Sequence, residues 1–139
     1  MSPVLPGATK VVVLVVEDDP DLRLLYREAL AVLGGYVVVA VEDGMDALRY
    51  LDAEAAPSAV LLDLNLPRVS GRDVQHELAA HDATRKVPVI IVTGTPAGID
   101  PDDVACVLRK PVDVESLVRA VQDCVRKAMS REPDAQRAG

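Results

Sequence analysis

The chain has 139 residues, half of them apolar, which is enough for one domain with a single buried core. Its net charge is −7, from 15 Lys and Arg against 22 Asp and Glu, and this opposes non-specific nucleic-acid binding, which needs basic side chains to displace counterions. Phe and Trp are absent and Tyr26, Tyr36 and Tyr50 are the only aromatics, so base-stacking platforms are not expected.

No apolar run approaches the roughly 20 residues that span a bilayer. The N-terminus lacks the basic-then-apolar pattern of a signal peptide. Cys106 and Cys124 are too few for a disulfide framework and fit no zinc spacing. A reduced, cytoplasmic setting is the expectation, without membrane attachment.

Residues 1–9 carry two Pro and a Gly and read as a flexible tail, and residues 130–139 read the same way. The domain between them is expected over 10–129. Val11–Val16 is continuously apolar, as in a strand buried on both faces. Asp19 then stands as an N-cap before Pro20, at the first helical position. Leu22, Leu25, Tyr26, Ala29 and Leu33 recur at helical spacing until Gly34 and Gly35 stop the helix.

Tyr36–Val41 reads as a second strand, and Asp43 to Ala53 as a second helix. Ala59–Leu62 is a third strand. A loop bracketed by Pro67 and Gly71 leads to a helix ending near His81. Val89–Val92 and Ala105–Leu108 complete the strands, with little but a short turn of helix, over Pro101–Val104, between them. Val114, Leu117, Val118, Val121, Val125 and Met129 mark a last amphipathic helix. Alternating strands and helices imply a parallel sheet covered on both faces.

Four of these strands end on polar residues of different kinds. The first runs into Glu17, Asp18 and Asp19, the third into Asp63, the fourth into Thr93 and the fifth into Lys110 and Pro111. In a parallel sheet these carboxyl ends share the edge where open α/β sheets bind ligands. Clustered carboxylates repel one another unless a cation joins them, and Mg²⁺ prefers such oxygen ligands. Asp63 is a competent nucleophile toward phosphorus. The Thr93 hydroxyl and the Lys110 ammonium suit phosphoryl oxygens. Taken singly, each has a plainer reading: Asp19 as a cap, Thr93 as a strand residue, Lys110 as a surface lysine. Their joint placement carries the inference. His76 and His81 lack metal-ligand spacing, and the GTPAG stretch has no Gly-Lys-Ser/Thr and is no phosphate loop.

The stretches VLVVEDDP, LLDLNLPRVSG, VPVIIVTG and VLRKPVD, in that order, resemble the receiver domain of bacterial two-component response regulators, from about Lys10 to Met129. The resemblance implies a doubly wound, flavodoxin-like five-stranded sheet in the order 2-1-3-4-5. It implies that Asp63 accepts a phosphoryl group from a sensor histidine kinase or a histidine phosphotransfer protein, and acts on a downstream protein target. It places Asp18, Asp63 and the backbone carbonyl of Asn65 on Mg²⁺ (or Mn²⁺), with Glu17 acting through water. It also implies that Thr93 and Lys110 hold phosphoryl oxygens, and that the Lys110–Pro111 peptide is cis. Such a module is an acceptor with slow self-dephosphorylation and not an enzyme, and this chain has the form of a stand-alone receiver or one cut from a larger hybrid.

Two departures bear on output. The position three before the lysine, usually aromatic in this family, is Val107. The 94–104 segment is short and rich in Gly and Pro, leaving a fourth helix short or absent. Val107 has one stiff torsion and little reach. Signalling is therefore expected through ordering of that loop and not through an aromatic flip. Two other readings compete. A pseudo-receiver would keep the fold as a docking domain without phosphorylation. An aspartate-nucleophile phosphatase would want a second acid where Asn65 stands.

Overall fold

A computed structural model of the chain describes residues 11–66, 69–95, 99 and 104–138, and only the backbone over 131–138. The expected tail over 1–9, the loop residue Pro67 and most of the 94–104 segment, with its short helix and proposed ordering, lie outside the described residues.

The strands are β1 (Val12–Val16), β2 (Val37–Val41), β3 (Ala59–Leu62), β4 (Val89–Thr93) and β5 (Cys106–Arg109). The helices are α1 (Pro20–Val32), α2 (Gly44–Ala53), α3 (Gly71–Ala80) and α4 (Val114–Ala138). All strand pairs are parallel, in the order β2-β1-β3-β4-β5. None of the helices is long and apolar enough to cross a membrane, among the described residues.

Successive strand residues point to opposite faces, and both faces are apolar, which is why the strands read as unbroken apolar runs. Val13, Val15, Leu61, Ile90 and Val92 face one core with Tyr26, Ala29 and Leu30 of α1 and Leu117, Val118, Val121 and Val125 of α4. Leu14, Val16, Val60, Leu62 and Ile91 face the other with Ala47 of α2 and Val74 and Leu78 of α3.

The helix starts are set by short polar side chains. Asp19 caps α1, its Oδ1 accepting from the Asp21 and Leu22 amides at 2.9 and 3.2 Å. Asp43 and Ser70 cap α2 and α3 in the same way. Each oxygen satisfies amides that the helix cannot pair internally. Gly35, at φ 73°, closes α1 in the left-handed conformation that glycine tolerates best.

One boundary differs from expectation. The last helix does not stop near Met129 to leave a tail over 130–139 but continues to Ala138. Pro133 removes one backbone donor from that stretch, while the Ala, Gln and Arg residues around it are good helix formers. The Lys110–Pro111 peptide is cis, as the resemblance implied.

Candidate functional site: an acidic crevice at the carboxyl edge of the sheet

The strand ladders deliver the site residues in register. The Glu17 amide donates to the Val41 carbonyl at 3.1 Å and the Asp63 amide to the Val16 carbonyl at 3.1 Å, so both acids sit one step past their strands. The Lys110 amide donates to the Thr93 carbonyl at 2.9 Å, which fixes the lysine beside the threonine. Four separate strand ends thus meet, as expected from the sequence.

Lys110 Nζ lies 3.1 Å from Asp63 Oδ2, as a hydrogen bond and ion pair, and 2.9 Å from Glu17 Oε1. The second contact lacks hydrogen-bond alignment, so Glu17 Oε1 is buried without a hydrogen-bond partner among the described residues. Glu17 is 2% exposed and Asp63 5%. Glu17 Oε2 accepts from the Asp19 amide at 3.2 Å, and Asp63 Oδ1 from the Asn65 amide at 2.9 Å. Asp18 is exposed, and its carboxylate comes within 4.8 Å of those of Glu17 and Asp63.

Burial pushes the Glu17 carboxyl up from 4.5 to about 7; the Lys110 contact and the Asp19 amide oppose this, and the Asp63 charge adds to it. Burial alone would lower the Lys110 ammonium, but its close contacts with the Glu17 and Asp63 carboxylates outweigh that and raise it. Lysine therefore stays charged, while the buried glutamate is poised between its two forms.

Thr93 is fully buried, and its Oγ1 accepts from the Thr95 amide at 3.2 Å, leaving its own O–H free to donate. Thr95 Oγ1 in turn accepts from the Asn65 side-chain amide at 3.4 Å, which links the β3–α3 loop to the end of β4. Gly71 lets α3 start hard against the nucleophile's backbone: a Cβ there would collide with the Asp63 carbonyl oxygen and with Leu64 Cα. Val107 is 38% exposed on β5.

Sequence reasoning missed two participants. Thr95 carries no signal beyond its place two residues after Thr93. Arg23 donates from Nη1 to the Glu17 carbonyl at 3.0 Å and to the Asp18 carbonyl at 3.3 Å. Only its position one turn into the capped helix could have suggested that it folds back onto the acidic loop. His76 and His81 take no part; His81 Nε2 lies 3.0 Å from Glu77 Oε2 on the surface of α3.

Three carboxylates, one buried oxygen without an aligned donor, and an ammonium make a donor set suited to a hard divalent cation and an anion together. A doubly wound parallel sheet with such a crevice at its carboxyl edge defines a CheY-like α/β protein. A profile described as the response regulator receiver domain matches residues 13–122, and the chain belongs to that family. The polar-differentiation response regulator DivK of Brucella anthropi is 30% identical over 115 residues, covering 79% of this chain and 92% of that protein. The chemotaxis protein CheY1 of Helicobacter pylori is 31% identical over 80 residues, 58% of this chain and 64% of CheY1. Among solved structures, the receiver domain of sensor histidine kinase PA1611 from Pseudomonas aeruginosa superposes with a TM-score of 0.74 at 29% identity, covering 84% of this chain and 98% of that one. That structure has a magnesium ion coordinated in its active-site cleft.

Proposed function

We propose that this receiver accepts a phosphoryl group on Asp63 from a phosphohistidine, carried by a sensor histidine kinase or a histidine phosphotransfer protein in the cytoplasm. A carboxylate oxygen of Asp63 attacks phosphorus; the new P–O bond forms as the P–N bond breaks, and the imidazole nitrogen leaves with the bonding pair and takes up a proton. The observation that carries this reading is the placement of Lys110 between Asp63 and Glu17, at 3.1 and 2.9 Å, beside a buried threonine hydroxyl with a free proton.

Asp18, Asp63 and the backbone carbonyl of Asn65 would hold Mg²⁺ or Mn²⁺, with Glu17 acting through water. When bound, the cation supplies charge neutralisation for the incoming phosphoryl oxygens. Lys110 leaves its contact with the carboxylate for a phosphoryl oxygen, and the Thr93 O–H donates to another. The added charge of about −1.5 to −2 then alters which downstream protein the domain binds. The module is an acceptor with slow self-hydrolysis and not an enzyme. Its net charge of −7 supports protein partners over nucleic acid.

Incubation with a small acyl-phosphate donor and Mg²⁺ tests this. A single phosphoryl group should appear on Asp63 by mass spectrometry, persist for a measurable time, and be lost in Asp63→Asn. Asp19→Asn, which removes a charge but keeps the capping oxygen, should label far more than Asp63→Asn. Labelling elsewhere would overturn the assignment. No labelling would make the chain a phosphorylation-independent docking domain, and rapid turnover of phosphate esters would make it a phosphatase.

A further inference from the structure

We infer that Arg23 is a positioning residue that shapes the acidic loop for its cation, an inference that rests on the metal-dependent reading above. The guanidinium reaches back along α1 and donates from Nη1 to two successive carbonyls, Glu17 at 3.0 Å and Asp18 at 3.3 Å. The Arg23 backbone amide donates to the third, Asp19, at 2.8 Å. One residue therefore ties down the main chain of the whole Glu17–Asp18–Asp19 triplet.

The loop's other polar groups are also engaged. Glu17 Oε2 takes the Asp19 amide, and Asp19 Oδ1 takes the Asp21 and Leu22 amides. The Asp18 carboxylate alone among the triplet's side chains holds no hydrogen bond or ion pair to the described residues, and it is the one within 4.8 Å of both Glu17 and Asp63. With the carbonyls held by the guanidinium, the carboxylate of Asp18 is left free for a ligand.

The reach and rigidity of the guanidinium matter here more than the charge. Both contacts come from one terminal nitrogen; a lysine at position 23 would keep the positive charge, but its nitrogen sits one bond nearer the backbone on a flexible stem and falls short of the two carbonyls. Partners of this kind, one step removed from the cation, commonly change metal affinity by about 10–100-fold.

Mg²⁺ titration by calorimetry on the parent, Arg23→Lys, Arg23→Ala and Asp18→Ala tests the inference, with the metal-free thermal midpoint of each as the folding control. Both Arg23 variants should bind Mg²⁺ about tenfold or more weakly. In acyl-phosphate labelling the loss should fall on the half-saturating Mg²⁺ concentration and not on the plateau. If Arg23→Ala does not fold, Arg23→Lys decides. Unchanged affinity in a folded variant, full affinity in Arg23→Lys, or a loss confined to the plateau would each overturn the role of Arg23 while the Mg²⁺ site stands. A parent that shows no saturable Mg²⁺ binding, or binding untouched by Asp18→Ala, would remove the underlying reading and Arg23's role with it.

Discussion

Glu17 is the residue on which the electrostatics of the crevice turn. Its carboxyl is buried and lifted to about 7, chiefly by desolvation. The folded chain then binds a proton that the unfolded chain, with a pKa near 4.5, has already released. Between those two values the native state holds more protons than the unfolded state, so this contribution to stability is full below about 4.5 and is lost as pH rises through 7. A shift of that size corresponds to on the order of 3 kcal/mol. Lys110 does not blur the effect, because its pKa is raised further above this window. In chelated buffer, urea denaturation of the parent at pH 5 and pH 8 should therefore show a fall in stability that Glu17→Gln lacks. An equal pH response in the two proteins would show that Glu17 titrates normally.

At the same scale, the residues with distinctive chemistry were legible in the chain and those with ordinary chemistry were not. Asp63, Thr93 and Lys110 each interrupt an apolar run, so their position at a strand end is written in the pattern. Arg23 is one of many charged residues on an amphipathic helix, and its fold-back onto the Glu17 and Asp18 carbonyls depends on the turn made by the capped loop. Nothing local distinguishes it from Arg27. The Thr95–Asn65 contact joins residues thirty positions apart and needs the sheet to be assembled first.

At the scale of elements, the start of α1 was readable because capping is local chemistry: Asp19 before Pro20 is sufficient, whereas the Asp43 and Ser70 caps did not stand out from the chain. Strand ends were less readable. β4 includes Thr93 and β5 includes Arg109 because the ladder between them continues to the Lys110 amide, which is a pairing effect and not a propensity. The same closeness explains Gly71. In the sequence it marked only the end of a loop, yet it is where α3 meets the carbonyl of the nucleophile. Gly71→Ala forces a methyl group into backbone that cannot swing aside. Overpacking of this kind costs about 1–3 kcal/mol. Thermal melts should show that loss, and acyl-phosphate labelling should slow because the β3–α3 turn carries Asn65. A variant as stable and as readily labelled as the parent would mean that the turn relaxes freely. Gly44 makes a similar approach, to the Val69 carbonyl, at the start of α2.

At the scale of the whole molecule, two apolar faces and one polar edge divide the labour. The faces hold the sheet between α1 and α4 on one side and α2 and α3 on the other, while the edge gathers the charges. α4 contributes to this arrangement through its first half. Among its residues with described side chains, up to Ser130, the last buried one is Val125, and the helix runs on to Ala138. At 1.5 Å per residue, the thirteen positions past Val125 extend the helix by about 20 Å. The side-chain contacts described just beyond Val125 stay within the helix: Arg126 pairs with Asp123, and the Ser130 hydroxyl donates to the Arg126 carbonyl. A helix gains most of its stability from packing an apolar face and little from propensity alone. Ending the chain after Ser130 should therefore leave the urea midpoint within about 0.5 kcal/mol of the parent, as for changes away from the core, and leave Asp63 labelling intact. A loss well above 1 kcal/mol, or a labelling defect, would show that the distal helix is tied to the domain by contacts that the burial pattern up to Ser130 does not contain.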